Sequence, residues 1–375
     1  MKKGAKKVIK RLILSVFVIV LVVMLPMVDL KADNNIELIY RSFIGKKSDY
    51  LGFIEIWNID TFESGGVSKY EMLQTVAKEY QKENKGTYVI VRNITESECK
   101  NMIAKGQKPD LFSCSYGVAS EIKDCVVPFS EGFDDLYENL LSAGKYQGCQ
   151  YAVPWCYNNY YLFSTKSRVE AYFKDDEKIS LSKIALETGS EKTNKNKKEI
   201  IYSLGFGMSK YLMPQIAFST YINKEIALKD YSLSKETVMK NSPYDAYCNF
   251  LVGGSNILLG TKRDLIRLCG REEQGKLEGL VIEKVSGFTD LLQFALITKN
   301  SEQRYNHAQA FVKKLVSAKV QEWAGEKGMF VVNKTIKSQN NTGIMSNITP
   351  ENIENYKCFN VFLTKGEIEH LQKSF

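Results

Sequence analysis

The feature that most constrains the fold is an alternation of strand and helix patterns from Phe53 to Cys114. An apolar, β-branched run begins at Phe53, and helically spaced apolar residues follow the SxxE capping box of Ser68 and Glu71. A second strand, a second helix and a third strand then lead to Cys114. This order predicts a parallel sheet that is covered by helices and joined by right-handed crossovers.

Loops at the carboxyl ends of the predicted strands carry polar and aromatic side chains together. Ligands meet this kind of sheet at those ends. The loop after the first strand contains Trp57, Asn58 and Glu63, and the loop after the third contains Ser115 and Tyr116. Flat apolar rings beside directional hydrogen-bonding groups suit a sugar. We therefore expect these residues to contact a ligand.

The stretch QYAVPWCYNNYYLF, residues 150–163, has six aromatic residues among fourteen. Pro154 fixes its φ angle and lacks a backbone donor, so we expect a strand to end there. Trp155, Tyr157 and Asn158 then lie on a connection that can face a cleft, and a new strand begins at Tyr160. Core packing of the rings is the alternative interpretation.

The N-terminus predicts export. Basic residues precede the 14 apolar-rich residues Leu12–Leu25, and Ala32 ends a possible cleavage site. Residues 1–32 are interpreted as a signal peptide or a retained membrane anchor, because their length suits either, and residues 33–49 as a tether. The flanking positive charge would keep the N-terminus cytoplasmic and place the rest outside.

Composition excludes several other functions. The net charge of +8 comes mainly from residues 1–32, since the remainder has 44 basic and 42 acidic residues, and this argues against nucleic-acid binding. With only two histidines and no phosphate-binding or metalloenzyme motif, we expect no metal, no cofactor and no enzyme activity. The eight cysteines lack metal-ligand spacing and are interpreted mostly as buried thiols, although one or two disulfides stay open.

Six segments in order resemble the extracellular solute-binding proteins of the maltose-binding type, the substrate receptors of bacterial carbohydrate ABC transporters. They are IEIWNIDTFESGGVSKYEMLQTVAKEYQKEN, PDLFSCSYG, YAVPWCYNNYYLFSTKS, LLGTKRDLIRL, SGFTDLLQFALITK and AQAFVKKLVSAKVQEWAGEKGMFVVNK. The resemblance runs from about Phe53 to Lys334.

The resemblance implies the α/β, two-lobed periplasmic-binding-protein-like fold of type II, with a mostly parallel sheet in each lobe and hinge crossings between them. Its lobe 1 would contain 50–156 and 286–333, and its lobe 2 157–285 and 334–375. Lobe 2 would add Arg263, in a GTxRD-like motif, and Phe288 to the ligand-binding residues. The implied partners are a sugar or other small solute and the permease subunits of an ABC transporter, and the implied state is a monomer that closes on its ligand.

Departures from the family pattern leave alternatives open. Gram-positive members usually carry a lipobox cysteine, whereas no cysteine precedes Cys99 here, so attachment would depend on residues 1–32. We expect an exported protein at the outer face of the cytoplasmic membrane or in the medium of a Gram-positive bacterium. Because lobe 2 and the C-terminal tail are short, a membrane-anchored protein–protein or sensor module with a degenerate cleft is the second hypothesis. A secreted hydrolase with two hidden carboxylates is the third.

Overall fold

A computed structural model describes residues 50–173, 203–204, 243–284, 289–336, 353–364 and 366–367. The predicted export segment and tether, as well as Phe288, lie outside these residues. Each fold element below is therefore given within the described ranges.

Lobe 1 is built on a five-stranded sheet with the order β2-β1-β3-β11-β6. Its strands are β1 Gly52–Asn58, β2 Thr87–Asn93, β3 Leu111–Cys114, β6 Ala152–Tyr157 and β11 Leu292–Ile297. Strand β1 pairs parallel with β2 and β3, and β11 is antiparallel to both of its neighbours. Four strands therefore point in one direction, and the predicted mostly parallel sheet is confirmed. A small hairpin, β4 Lys145–Tyr146 with β5 Cys149–Gln150, precedes β6.

Lobe 2 contains a four-stranded sheet with the order β10-β7-β9-β8. Its strands are β7 Tyr160–Thr165, β8 Ser203–Leu204, β9 Leu258–Thr261 and β10 Leu280–Lys284. Strand β7 is antiparallel to β9 and β10, and β8 is parallel to β9. Three of these four strands thus share a direction.

Helices cover the two sheets. They are α1 Lys69–Glu83, α2 Glu96–Ala104, α3 Val118–Glu121, α4 Glu138–Ser142, α5 Lys166–Phe173, α6 Pro243–Leu251, α7 Lys262–Glu273, α8 Glu302–Leu315 and α9 Ala318–Glu326. Helix α1 begins at the predicted capping box, where Ser68 Oγ accepts the backbone N–H of Glu71 at 3.1 Å and the Glu71 carboxylate accepts that of Ser68 at 3.3 Å. Its apolar face, including Leu73 and Val76, is buried in the core.

The strand expected to end at Pro154 continues to Tyr157. Strand β6 lies at the edge of its sheet, and its pairing with β11 shifts register between Gln293 and Phe294, opposite Pro154 and Cys156. A proline is tolerated at an edge or a bulge because its missing N–H interrupts no ladder there. The first crossing to lobe 2, between β6 and β7, therefore consists of Asn158 and Asn159.

The C-terminal segment, defined as residues 353–364, packs against lobe 1, whereas the prediction assigned residues 334–375 to lobe 2. The side chain of Asn139, on α4, donates to the carbonyl of Ile353 at 2.7 Å, and the backbone N–H of Val361 donates to that of Ala143 at 2.8 Å. Val361 is fully buried. This docking depends on contacts distant in sequence, which local patterns do not reveal.

Three further findings concern cysteines, metals and the membrane. All eight cysteines lie in the described part of the chain, and each is a free thiol. The described residues contain no cluster of side chains that could hold a metal ion. Within the same residues no helix combines the length and the apolar character needed to cross a bilayer.

Gly144 provides a test of the packing between α4 and β6. A Cβ atom at this position would lie 1.7 Å from the carbonyl oxygen of Ala152, so Gly144→Ala must displace backbone. We expect the free energy of unfolding to fall by about 1–3 kcal/mol or more. Gly270→Ala is the control: nothing lies within 4 Å of its new Cβ, and alanine in a helix interior should raise the free energy of unfolding by about 0.5–1 kcal/mol. Denaturant unfolding of both variants measures the difference.

Candidate interlobe ligand site

A cavity of about 400 Å³ lies between the two lobes. Its lobe 1 wall is the loop after β1, continued to the first residue of α1, and its lobe 2 wall comes from β7, β9 and the start of α7. The lining residues are Asp60, Thr61, Phe62, Glu63, Ser64, Gly65, Gly66, Val67, Ser68, Lys69, Tyr160, Leu259, Gly260, Thr261, Arg263, Asp264 and Leu291. This volume falls within the range of about 300–1,000 Å³ found for small-molecule sites.

A buried lysine shapes the lobe 1 wall. Lys69 is 2% exposed, and its ammonium lies 3.3 Å from Asp60 Oδ1 and 3.6 Å from the centroid of the Phe62 ring. It also donates to the backbone carbonyl of Phe62. Burial lowers the pKa of Lys69, and Asp60 opposes that shift. The loop therefore folds around a cation that needs these partners to remain charged.

Asn158, a predicted site residue, joins the two walls at the crossing. Its Nδ2 donates to the carbonyl of Glu63 at 2.8 Å, and its Oδ1 accepts the backbone N–H of Lys262 at 3.2 Å. The same Oδ1 accepts the N–H of Asn159 at 2.8 Å. The amide is fully buried. Its position in the crossing lets one side chain hold the loop after β1 and the first turn of α7.

An ion pair spans the cavity. Arg263 Nη1 from α7 lies 3.1 Å from Glu63 Oε1 of the loop after β1, and Arg263 Nη2 lies 2.7 Å from Asp264 Oδ1. Arg267 lies 3.7 Å from the other oxygen of Glu63. The Arg263 side chain is 9% exposed but that of Glu63 is 55% exposed, so solvent screens this ion pair. The structure thus places Glu63, Asn158 and Arg263 close together, and their predicted ligand contacts stay predictions.

Asn58 and Ser115 are fully buried and do not line the cavity. Asn58 Oδ1 accepts the hydroxyl of Ser113 at 2.9 Å, and Ser113 Oγ accepts Nε2 of Gln293 at 3.0 Å. Gln293 also donates to the carbonyl of Ile59 at 3.2 Å. This network ties β1, β3 and β11 together beneath the loop. The predicted ligand contacts of Asn58 and Ser115 stay predictions.

The predicted aromatic residues Trp57, Tyr116, Trp155 and Tyr157 are all at most 2% exposed, and none lines the cavity. Trp57 meets Phe112 edge-on at 5.7 Å, and Tyr157 stacks on Phe330 at 5.2 Å. Their rings therefore pack in the core, the alternative interpretation of the sequence. A direct role of these rings in ligand binding stays a prediction.

Phe62, Lys69 and Tyr160 are among the lining residues that the sequence did not mark as ligand contacts. Phe62 lies in a mostly polar loop, and the sequence pattern placed Tyr160 inside a strand. Lys69 is the first residue of α1, where a lysine is normally solvated. The capping box was the available signal, since it fixes where α1 starts and hence where Lys69 lies.

A buried carboxyl group stands behind the Tyr160 wall. Asp290 is fully buried, and its Oδ1 accepts the hydroxyl of Tyr160 at 2.7 Å. Burial raises the pKa of Asp290 to about 7, although the Tyr160 hydrogen bond opposes the rise. Tyr116 and Cys358 are the other titratable groups whose pKa responds to this carboxyl. Protonation of the Asp290 carboxyl is therefore coupled to folding.

No protein-family model and no curated protein matches the sequence. Among solved structures, the GacH receptor of Streptomyces glaucescens matches at 14% identity with a TM-score of 0.59, covering 88% of this chain and 92% of that chain. The ABC substrate-binding protein Lmo0181 of Listeria monocytogenes, in complex with cycloalternan, matches at 12% identity and a TM-score of 0.53, covering 86% and 93%.

Thiaminase I from Bacillus thiaminolyticus has the same fold at 12% identity and a TM-score of 0.53, covering 86% of this chain and 97% of that chain. At these identities the likenesses establish the fold alone. They confirm the predicted type II periplasmic-binding-protein fold. That an enzyme shares it means that function must be argued from the site.

The raised pKa of Asp290 predicts that the stability of the fold depends on pH. Its pKa is about 7 in the folded protein against an ordinary value of 3.8, so between these values the folded state holds a proton that the unfolded chain has lost. Stability therefore falls as pH rises from about 4 to about 7. Asp290→Asn, which keeps an acceptor for Tyr160, should reduce this fall, whereas Asp134→Asn, at an exposed position, should not. Thermal unfolding across this pH range tests it, and equal slopes in wild type and Asp290→Asn would contradict it.

Proposed function

We propose that this chain is an extracytoplasmic solute-binding protein that captures a sugar or oligosaccharide for an ABC transporter. The observation that supports this is the cavity between two lobes, whose polar groups come from both walls. Glu63 lines the cavity from lobe 1 and Arg263 from lobe 2, while Asn158, in the crossing, does not line it but holds the loop that carries Glu63. A ligand placed there would contact both lobes at once, as a binding protein that closes on its ligand requires.

The chemistry of the cavity suits a polyhydroxylated ligand. Carboxylates of Asp60 and Glu63 accept hydrogen bonds, while Lys69 and Arg263 donate them, so adjacent hydroxyl groups can be recognised as donor and acceptor together. Phe62 and Tyr160 add ring surface for the apolar faces of a sugar. Charges of both signs alternate around the site, which favours a neutral ligand over a strongly charged one.

The solved structures of this fold support the sugar assignment. GacH was determined in complex with acarbose, and Lmo0181 with cycloalternan. By analogy we assign the chain a carbohydrate ligand, permease subunits as partners, action as a monomer, and export by residues 1–32, which either remain as an anchor or are removed. The Gram-positive origin is part of the same proposal.

The cleft would work by exchanging internal contacts for ligand contacts. Hydroxyl groups of the sugar would compete with Arg263 for Glu63 and with Glu63 for Arg263. Arg263 keeps Asp264 as a partner within lobe 2, so its guanidinium stays oriented while the exchange occurs, whereas Arg267 is a second lobe 2 partner of Glu63. The liganded closed state is then favoured by contacts that only a molecule between the lobes can make.

We infer that the cavity does not perform thiol or imidazole catalysis, because Cys114, Cys156 and His307 lie elsewhere. Burial raises the pKa of Cys156 to about 12, and that of Cys114 also rises, so both stay thiols at neutral pH. His307 lies on α8, where its Nδ1 is 2.9 Å from the hydroxyl of Tyr80. None of these three residues lines the cavity.

Arg263 provides the direct test of the proposed function. Calorimetric titration with mono-, di-, tri- and tetrasaccharides of glucose, galactose and mannose should reveal at least one ligand of the wild type. Arg263→Ala should weaken its binding about tenfold to a hundredfold, the range for losing a hydrogen bond to a charged group. Arg271→Ala is the matched control, because Arg271 lies on the same helix, bonds Tyr247 at 3.2 Å and does not line the cavity.

The titrations distinguish two outcomes. Weaker binding by Arg263→Ala and unchanged binding by Arg271→Ala would support the interlobe cavity as the sugar site. If no sugar in the panel gives heat or changes the intrinsic fluorescence, transport of a sugar is wrong. A membrane partner copurifying with the full chain would then favour the anchored protein–protein module.

A further inference from the structure

A lysine of lobe 2 is inserted into lobe 1. Lys262 opens α7, and its ammonium lies 3.8 Å from the centroid of the Phe330 ring. Phe330 packs on β6 of lobe 1, where its carbonyl accepts the backbone N–H of Tyr157 at 3.4 Å and its ring stacks on that of Tyr157 at 5.2 Å. Lys262 is 4% exposed and Phe330 is 5% exposed. The ammonium therefore rests on a ring that is fixed to the other lobe.

The stem of the same side chain lies against the loop after β1. A Cβ atom at Gly65 would be 3.8 Å from Cδ of Lys262 and 2.5 Å from the carbonyl oxygen of Gly328. We call the space between Gly65 and Phe330, which Lys262 fills, the lobe 1 slot. The backbone N–H of Lys262 donates to Asn158 Oδ1 at 3.2 Å, which fixes the start of α7 at this slot. Lys262 itself does not line the interlobe cavity.

The ammonium of Lys262 lacks the compensation that other buried cations near the cavity have. Lys69 lies 3.3 Å from an oxygen of Asp60, and Arg263 lies 2.7 Å from one of Asp264. In the described part of the chain the Phe330 ring is the only partner of the Lys262 ammonium. Burial alone lowers the pKa of Lys262 to about 8. The ring contact thus does not offset the loss of water around this charge.

We propose that Lys262 is a positioning residue that limits the affinity of the cleft, because its ammonium must leave water and enter the lobe 1 slot whenever the lobes close on a ligand. This rests on the proposed function, in which closing traps a sugar. The cost of desolvation acts against the closed state alone. It therefore lowers the affinity without any contact to the ligand and speeds reopening. A receptor that delivers its ligand to a permease needs release as well as capture.

The slot also makes closing depend on pH. When the lobes separate, Lys262 leaves Phe330 and meets water, where its ordinary pKa of 10.5 applies, whereas its pKa is about 8 in the slot. Between these values the open form holds a proton that the closed form has lost. Closing therefore releases a proton, and the affinity rises with pH from about 8 to about 10.5. Below about pH 8 both forms hold the proton, and the full cost of desolvation applies.

Other charged and titratable groups lie on the elements packed against Lys262. They are Glu63 and Lys69 on either side of Gly65, Arg263 and Asp264 on its own helix, Lys327 before Gly328, and Tyr157 behind Phe330. Burial raises the pKa of Tyr157 well above its ordinary value of 10.0, so this phenol stays neutral. Burial lowers the pKa of Lys69, so a second lysine can contribute to the pH profile. The difference between wild type and Lys262 variants therefore isolates Lys262.

The test compares two substitutions of Lys262 with a matched control. Lys262→Met removes the charge and keeps an unbranched stem on Phe330, whereas Lys262→Arg keeps a charge that does not titrate in this range. Lys276→Met is the control, because Lys276 is exposed, follows the same helix and donates to Gln274 Oε1 at 2.8 Å. The full chain is titrated at pH 7.5 and pH 9.5 with mono-, di-, tri- and tetrasaccharides of glucose, galactose and mannose. Hydrogen exchange of the loop after β1 is followed at pH 7.5 without sugar.

Lys262→Met should bind the sugar about threefold or more tightly than wild type at pH 7.5, whereas loss of a merely structural side chain would weaken binding. In wild type and Lys276→Met the affinity should rise about threefold or more from pH 7.5 to pH 9.5, and both Lys262 variants should reduce this rise. Without sugar, Lys262→Met should slow exchange of the amides of residues 61–67, because the closed form becomes more populated.

Two results would overturn the role of Lys262 while leaving sugar binding intact. One is equal or weaker binding by Lys262→Met at pH 7.5, and the other is a pH profile that neither Lys262 variant changes. If no sugar binds the wild type, the proposed function fails, and the exchange measurement still decides whether Lys262 opposes closing. Exchange that is unchanged or faster in Lys262→Met would overturn that role, since it would show that the lysine does not disfavour the closed form.

Discussion

The arrangement of the two lobes depends on the hydrogen bonds of the Asn158 side chain. It lies at the crossing, fully buried, and its hydrogen bonds reach the loop after β1 and the start of α7. Its backbone takes part as well, since its N–H donates to Leu291 at 2.8 Å and its carbonyl accepts the Thr289 hydroxyl at 2.5 Å. Outgoing and returning crossings are thereby tied together. Removing one partner would leave buried polar groups without compensation.

A second constraint is that two helices begin at the cavity with a buried lysine. Lys69 opens α1 and Lys262 opens α7, and a carboxylate two residues further on accepts the N–H of the preceding cap residue in each case: Glu71 at 3.3 Å and Asp264 at 3.0 Å. A cation at a helix N-terminus opposes the helix dipole, so each ammonium needs other compensation. Lys69 has Asp60 and Phe62, and Lys262 lies 3.8 Å from the centroid of the Phe330 ring. Burial lowers the pKa of Lys262 to about 8.

The parts of the fold that sequence predicted are those with local signals. The capping box at Ser68 located α1, and the alternation of strands and helices predicted the direction of the first three strands. The failures are non-local. Pro154 appeared to end a strand, but the register shift opposite it lets β6 continue to Tyr157. The C-terminal segment carries too little apolar pattern to reveal that it docks on α4.

The candidate site was predictable in part for the same reason. Glu63 and Asn158 follow predicted strands, so topology placed them at the cleft, whereas Arg263 was expected there from the family resemblance; contacts of Glu63 with the other two join the three residues. The sequence left the role of Trp57 and Trp155 open, because a large aromatic ring is equally compatible with a packed core and with a sugar site. The structure packs both tryptophan rings in the core, and such burial is a property of the whole fold that local sequence does not show.

The return crossing has a consequence that reaches beyond the cleft. In the described part of this crossing, between β10 and β11, Thr289 bonds the C-terminal segment, Asp290 bonds Tyr160 of the cavity wall, and Leu291 lines the cavity. We therefore expect a change in the angle between the lobes to alter the contacts of the C-terminal segment. Thermodynamic linkage makes the effect mutual. If a partner that binds the C-terminal segment changes the affinity of the cleft for its ligand, the ligand changes the affinity of the segment for that partner by the same factor.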